Sequence, residues 1–198
     1  MLSRFCILVL GFALLACAGT GAQKLSTAPS PSSSSSSSSK PSAPPSVLST
    51  MVRKDRVWIA GQPSADDFRA LKAQGVVSVL NVRTAEEMAD RTSIPFEEDV
   101  LLQELGMAYA ISPLCGSVGF NELPVAALKR ALESSEGPVL LHCASGGRAA
   151  LVWAAWQIRE LGRDPTEVMR ELEPLGLWPL SIEKVSGVPM QLERKSGQ

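Results

Sequence analysis

An apolar run, Val139–Leu140–Leu141, leads into His142–Cys143–Ala144–Ser145–Gly146–Gly147–Arg148, and an Ala-rich helical run leaves it. A buried strand, a tight glycine turn and a helix N-terminus in direct succession form half of the strand–helix unit from which parallel α/β sheets are built. From Arg148 to Leu161 the helix is apolar on nearly every side (Leu151, Val152, Trp153, Ala154, Ala155, Trp156, Ile158), which predicts a central, buried helix. The turn also defines a chemistry. Unpaired N–H groups and the dipole at a helix start make an anion site. The same field stabilises the thiolate of a cysteine at the head of the turn, and the thiolate is the nucleophilic form. Arg148 adds a planar fork for a tetrahedral oxyanion.

The rest of the domain alternates in the same way. Arg56 to Ala60 reads as a strand closed by Gly61–Gln62–Pro63, and Ser64 with Asp67 caps a helix from Ala65 to Gln74 that ends at Gly75. Val76 to Val82 is a β-branched buried strand, and a charged helix is expected from Ala85 to Arg91. Phe96 to Leu105 reads as helix and Met107 to Ile111 as strand, with a loop from Pro113 to Gly119. Asn121 caps a helix to about Leu132, Asp164 caps another, and Leu177 to Val185 reads as a last short helix. The expected fold is a small, mostly parallel central sheet flanked by helices, with Cys143 at the C-terminal end of a strand, where such sheets place their sites. Trp58, Trp153, Trp156 and Trp178 read as core.

A formal net charge of −1 and the lack of a basic stripe argue against a nucleic-acid partner. The chain has one histidine, His142, and beyond residue 50 only Cys115 and Cys143, so a tetrahedral zinc site of Cys and His ligands cannot be assembled and no metal or other cofactor is expected. Cys115 lies in the loop expected to face Cys143. The pair is open to a reversible disulfide, or Cys115 is an unpaired loop thiol.

The N-terminus reads as an export signal, with Arg4 followed by an apolar stretch, Phe5 to Ala16, too short to span a membrane. Leu14–Leu15–Ala16–Cys17 resembles the bacterial lipoprotein box, which implies lipidation at Cys17. Ordinary cleavage after Ala18 is the other reading. No aspartate follows the cysteine, which under the resemblance favours the outer membrane. The organisation expected is a signal peptide (1–17), a Ser/Pro-rich linker (18–50) with serines from Ser32 to Ser39, and one domain (51–198) on the periplasmic side of the envelope, held to the membrane through its lipid alone.

Gly61–Gln62–Pro63, Asn81–Val82–Arg83 and Cys143–Ala144–Ser145–Gly146–Gly147–Arg148, in that order, resemble the phosphatase-like domain of the beta-lactamase-hydrolase-like family, a short-loop branch of the cysteine-dependent phosphatases. The resemblance covers about residues 55 to 175. It implies a protein-tyrosine-phosphatase-like fold and a phosphorylated small molecule or phosphoprotein as substrate. In it Cys143 is the nucleophile and Arg148 the phosphate clamp. Ala144, Ser145, Gly146 and Gly147 form the phosphate cradle, and His142 orients the loop and favours the thiolate. Arg83 reads either as a second anion contact or as a surface ion pair, and Gln62 either lines the pocket or holds its turn.

Three departures from the usual phosphatase pattern bear on the reading. The usual loop has five residues between Cys and Arg, whereas here there are four. The usual acid-bearing loop corresponds to Pro113–Phe120, which contains no carboxylate; Glu122 is the nearest candidate acid, or else caps the first turn of the helix that follows. The position after the arginine, often Ser or Thr, is Ala149. The short loop is also similar to that of rhodanese-type sulfurtransferases, where the cysteine carries a persulfide. A weakly active oxyanion-binding module is the third reading.

Overall fold

The computed structural model describes residues 46–173 and 182–189, all within a compact unit spanning residues 43–198. Five strands form one sheet in the order β1-β2-β5-β3-β4: β1 (Val52–Lys54), β2 (Val57–Ala60), β3 (Ser78–Asn81), β4 (Ala108–Ile111) and β5 (Val139–His142). All pairings are parallel except β1 with β2. The expected mostly parallel α/β sheet is present, with one added strand. Val52–Lys54 was not expected to be a strand; it is held by an antiparallel turn through Asp55, whose φ is 51°.

Register decides where the site lies. Ala60 and Asn81 both sit level with His142, so β2, β5 and β3 end together and their following loops meet. β5 is central and wholly buried, as a strand covered on both faces must be.

Side chains alternate between two cores. On one face Val57, Ile59, Leu80, Val139 and Leu141 pack against α4 (Leu123–Glu133), α5 (Gly147–Arg159), α6 (Pro165–Leu172) and α7 (Ile182–Ser186). On the other Trp58, Val79 and Leu140 pack against α1 (Ala65–Ala73) and α3 (Glu98–Glu104). The predicted central helix is α5, with Trp153 buried and Trp156 half-buried. The proposed core role of Trp178, and the start of the helix expected from Leu177, lie outside the described residues.

Local chemistry sets the helix starts. α1 has the predicted capping box: Ser64 Oγ accepts from Asp67 N, and Asp67 Oδ2 accepts from Ser64 N at 3.0 Å. A second box, Thr84 with Glu87, starts the short α2 (Ala85–Met88). Asp164 caps α6, accepting from Glu167 N at 3.0 Å. The folded body begins earlier than residue 51. Ser46 donates to Asp67, and a 3-10 turn at Val47–Ser49 places Val47 and Leu48 against the core, within the stretch expected to be linker.

Candidate active site

β5 delivers Cys143 to the sheet edge, and Gly146 starts α5 with φ 96°, a left-handed conformation open to glycine. No side chain caps this helix. The Gly146 N–H instead donates to Cys143 Sγ at 3.1 Å, so the turn folds back on its own sulfur. Ala144 and Ser145 are exposed above Cys143, which is 1% exposed. The loop is anchored from below, with Ala144 O accepting from Gln62 N at 3.1 Å. A Cβ on Gly61 would meet that same Ala144 oxygen at 3.1 Å, so the glycine permits the close approach.

Arg148 lies in the first turn of α5 and is fixed from outside the loop. Its Nη1 donates to Glu87 Oε2 at 2.7 Å and to Leu114 O at 3.0 Å, and its Nη2 donates to Glu87 Oε1 at 2.5 Å. This bidentate pair uses the tip of the guanidinium. Nε has no protein hydrogen-bond partner among the described residues, which leaves the Nε edge for a bound oxyanion. The Arg148 hydrogen bond holds Glu87 down to about 2 against the cost of its partial burial, and the same bond raises Arg148.

Arg83 is in an ion pair, with Nε 3.9 Å from Glu87 Oε1, but the pair is buried on the arginine side rather than at the surface. Arg83 is 6% exposed, and its Nη1 donates to Gln62 Oε1 at 2.8 Å while Nη2 donates to Glu87 O at 3.3 Å. These bonds tie Gln62 to α2, and the buried Arg83 Nε has no hydrogen-bond partner among the described residues. Gln62 holds the turn and also reaches Glu98 Oε2 at 2.8 Å. His142 is fully buried; its Nε2 lies 3.0 Å from Glu98 Oε1 and its ring meets Phe68 edge-on. Its backbone carbonyl ties the loop to Val82 N at 3.0 Å.

Two carboxylates of this region were not singled out in the sequence. Glu87 carried a signal, the Thr84–Glu87 capping spacing. Glu98 carried none, since a glutamate in a helix's first turn ordinarily faces water. Glu122 occupies the N-cap position of α4 but makes no capping bond. Asn121 Oδ1 accepts from Leu123 N instead, and Glu122 pairs with Arg159. Cys115 sits in the loop after β4 at φ 81°, half-buried, and both it and Cys143 are free thiols.

Comparison with known proteins identifies the family and the fold. Residues 51–159 match the family described as beta-lactamase hydrolase-like protein, phosphatase-like domain. A beta-lactamase hydrolase-like protein of Xylella fastidiosa is 31% identical over 117 residues, 58% of this chain and 27% of that protein, so the chain spans about a quarter of that relative. A provisionally assigned phosphatase from Shewanella putrefaciens superposes with a TM-score of 0.51 at 23% identity, over 69% of this chain and 88% of the other. Kinase associated phosphatase, with its catalytic-site cysteine replaced by serine, superposes with a TM-score of 0.52 at 18% identity, over 60% of this chain and 74% of the other. The fold is thus that of the protein-tyrosine-phosphatase-like proteins. With its strand–loop–helix unit and three motifs converging at one sheet edge, the chain belongs to the phosphatase-like domain family of the beta-lactamase hydrolase-like proteins, among the phosphatase-type hydrolases.

Proposed function

We propose that the chain hydrolyses a phosphate ester through a thiophosphate intermediate on Cys143. One juxtaposition carries this reading: Cys143 Sγ lies 3.1 Å from Gly146 N at the uncapped start of α5, with Arg148 in the helix's first turn. The thiolate sulfur attacks phosphorus. The S–P bond forms as the P–O bond to the leaving group breaks, and the leaving oxygen takes the electron pair. The N–H groups of Ser145, Gly146 and Gly147 and the Nε edge of Arg148 hold the non-bridging oxygens. Water then attacks phosphorus, losing its proton to solvent. The S–P bond breaks, releasing inorganic phosphate and restoring the thiolate.

A free cysteine, with a pKa of about 8.5, is only a few per cent thiolate at neutral pH, so the cationic surroundings of the loop matter to the first step. The leaving oxygen finds no carboxylate in residues 113–120. General acid catalysis is typically worth about 10²–10⁴-fold, so turnover is slow and favours groups that leave as stable anions. The substrate class is a phosphorylated small molecule or phosphoprotein. Phosphate release from para-nitrophenyl phosphate by the reduced full chain, beside Cys143→Ser, tests the proposal. Slow release lost in the variant is expected; release that survives the substitution, or none from either protein, overturns it.

A second reading is sulfur transfer. The acid-free loop favours it, because moving a persulfide sulfur to a thiophilic acceptor needs no protonated leaving oxygen. Cys143-dependent transfer from thiosulfate to cyanide, without phosphate release, would select it. Oxyanion binding without either turnover would select a binding module. We also propose export and lipid anchoring at Cys17. Cys17→Ser should then abolish palmitate labelling and move the protein out of the membrane fraction, and labelling that persists would sink the anchor.

A further inference from the structure

Three sequence motifs meet at one atom group that none of them contains. Glu98, the first residue of α3, is 3% exposed. Its Oε1 accepts from Asn81 Nδ2 at 3.0 Å and lies 3.0 Å from His142 Nε2, while its Oε2 accepts from Gln62 Nε2 at 2.8 Å. The Tyr109 hydroxyl also bonds it. Burial opposes its ionisation. The charge and hydrogen bond of His142, with the bonds from Gln62 and Tyr109, outweigh that and leave the carboxyl below the usual carboxylate range. An ionised carboxylate is the one side chain that can accept all of these donors at once.

From this hub two paths run outward. One is direct, through the His142 ring to the residue preceding Cys143. The other runs Glu98–Gln62–Arg83–Glu87–Arg148: Arg83 Nη2 donates to the Glu87 backbone carbonyl, its Nε lies 3.9 Å from Glu87 Oε1, and Arg83 N donates to Asn81 Oδ1 at 2.8 Å. The nucleophile and the clamp sit on either side of the cradle, and both are referenced to one buried group. We propose that Glu98 is a positioning residue for the reaction: it fixes the His142 imidazole behind Cys143 and, through Gln62 and Arg83, the Glu87 carboxylate that aims Arg148.

This rests on the reading of Cys143 as the nucleophile, and its test does not require phosphatase turnover. The charged and titratable groups facing the cluster are His142 on β5, Tyr109 on β4, Asp99 beside Glu98 on α3, Arg83 and Glu87 after β3, Arg148 on α5 and Cys115 in the loop after β4. The α1 face contributes the uncharged Phe68 ring.

The experiment uses the full chain and Glu98→Gln, which keeps the volume and removes the charge. Iodoacetamide alkylation of Cys143 is followed against pH by peptide mass spectrometry, which separates it from Cys115. Thermal unfolding monitors the fold, and nitrogen-15 NMR reads the chain's single imidazole without ambiguity. In Glu98→Gln the alkylation midpoint should move upward, slowing the reaction about tenfold at pH values well below the native midpoint for a shift of about one unit. The Nε2 signal of His142 should move with it. Glu98→Asp, which restores the charge on a shorter arm, should recover part of both. An unmoved midpoint with only a lower unfolding temperature would make Glu98 a packing residue and overturn the proposal. A downward shift would mean that its charge merely opposes the thiolate, and would overturn it equally. If either variant fails to fold, Gln62→Glu supplies the test: a second carboxylate facing Glu98 should move the same midpoint and imidazole signal, and failure of both to move overturns the proposal.

Discussion

The starts of α1 and α5 are built on opposite plans. α1 satisfies its own free N–H groups, with Ser64 and Asp67 bonding across the turn, and α2 does the same with Thr84 and Glu87. α5 has no such side chain; it begins on a left-handed glycine beside a sulfur. All these helix starts carry a partial positive charge. Where the chain supplies the negative partner itself, the end is closed and only stability is gained. Where it withholds one, an oxyanion from outside can bind. The difference between a closed helix start and an open one is, for α1 and α5, a matter of which residue is missing.

The comparison breaks most completely if α5 is given its own anion. Gly146→Asp places a carboxylate at the open terminus and forces a side chain into φ 96°, which costs roughly 1–2 kcal/mol. Aryl phosphate turnover should fall below detection while circular dichroism shows a folded protein. Next in size is Arg148→Lys, which keeps the charge and loses the fork. Loss of one such donor costs about 10²–10³-fold, and the fall should appear mainly in kcat.

Glu87→Gln sharpens the comparison at α2, whose capping carboxylate also serves the site. Turnover should drop several-fold, with weaker phosphate inhibition as Arg148 loses its brace. Its pH signature has a definite sign. The folded carboxyl lies at about 2 against an ordinary 4.5, so its contribution is present above 4.5 and is lost as pH falls through about 2. Acid unfolding across that window should be shallower in the variant, as followed by tryptophan fluorescence. The smallest effect belongs to Ser64→Ala, which opens the start of α1. It should lower stability by about 1 kcal/mol and Tm by about 2–4 °C, with turnover unchanged. A change in turnover there would mean that the two helix starts are not independent.

What was legible in the sequence is what local chemistry decides. The Ser64 box, the Asp164 cap, the left-handed Gly75 (φ 94°) and the β5–loop–α5 unit all rest on residues close in the chain. β1 was missed because Val52–Arg53–Lys54 has no apolar alternation of its own and exists by pairing with β2. Expected bounds ran long at Val76–Val82 and Ala85–Arg91, where apolar or charged composition continues past the last ladder or helical bond. In the site, Cys143 and Arg148 could be read from their spacing. Glu98 could not, because its donors come from positions 62, 81, 109 and 142, and only the sheet register brings them together. The Arg83–Glu87 ion pair has a local spacing, but the burial of Arg83 rests on Gln62, twenty-one positions away in the chain.

The close contact between Gly61 and Ala144 limits how the Cys143–Arg148 loop can change length. With Ala144 O bonded to Gln62 N, and a Cβ on Gly61 set to crowd that oxygen at 3.1 Å, the first half of the loop is packed tightly against the end of β2. A fifth residue between Cys143 and Arg148 therefore has to be absorbed on the other side, at Ser145–Gly147, or accompanied by a rebuilt turn at 61–62. On the side facing β2, loop length and the Gly-Gln-Pro turn are mechanically coupled.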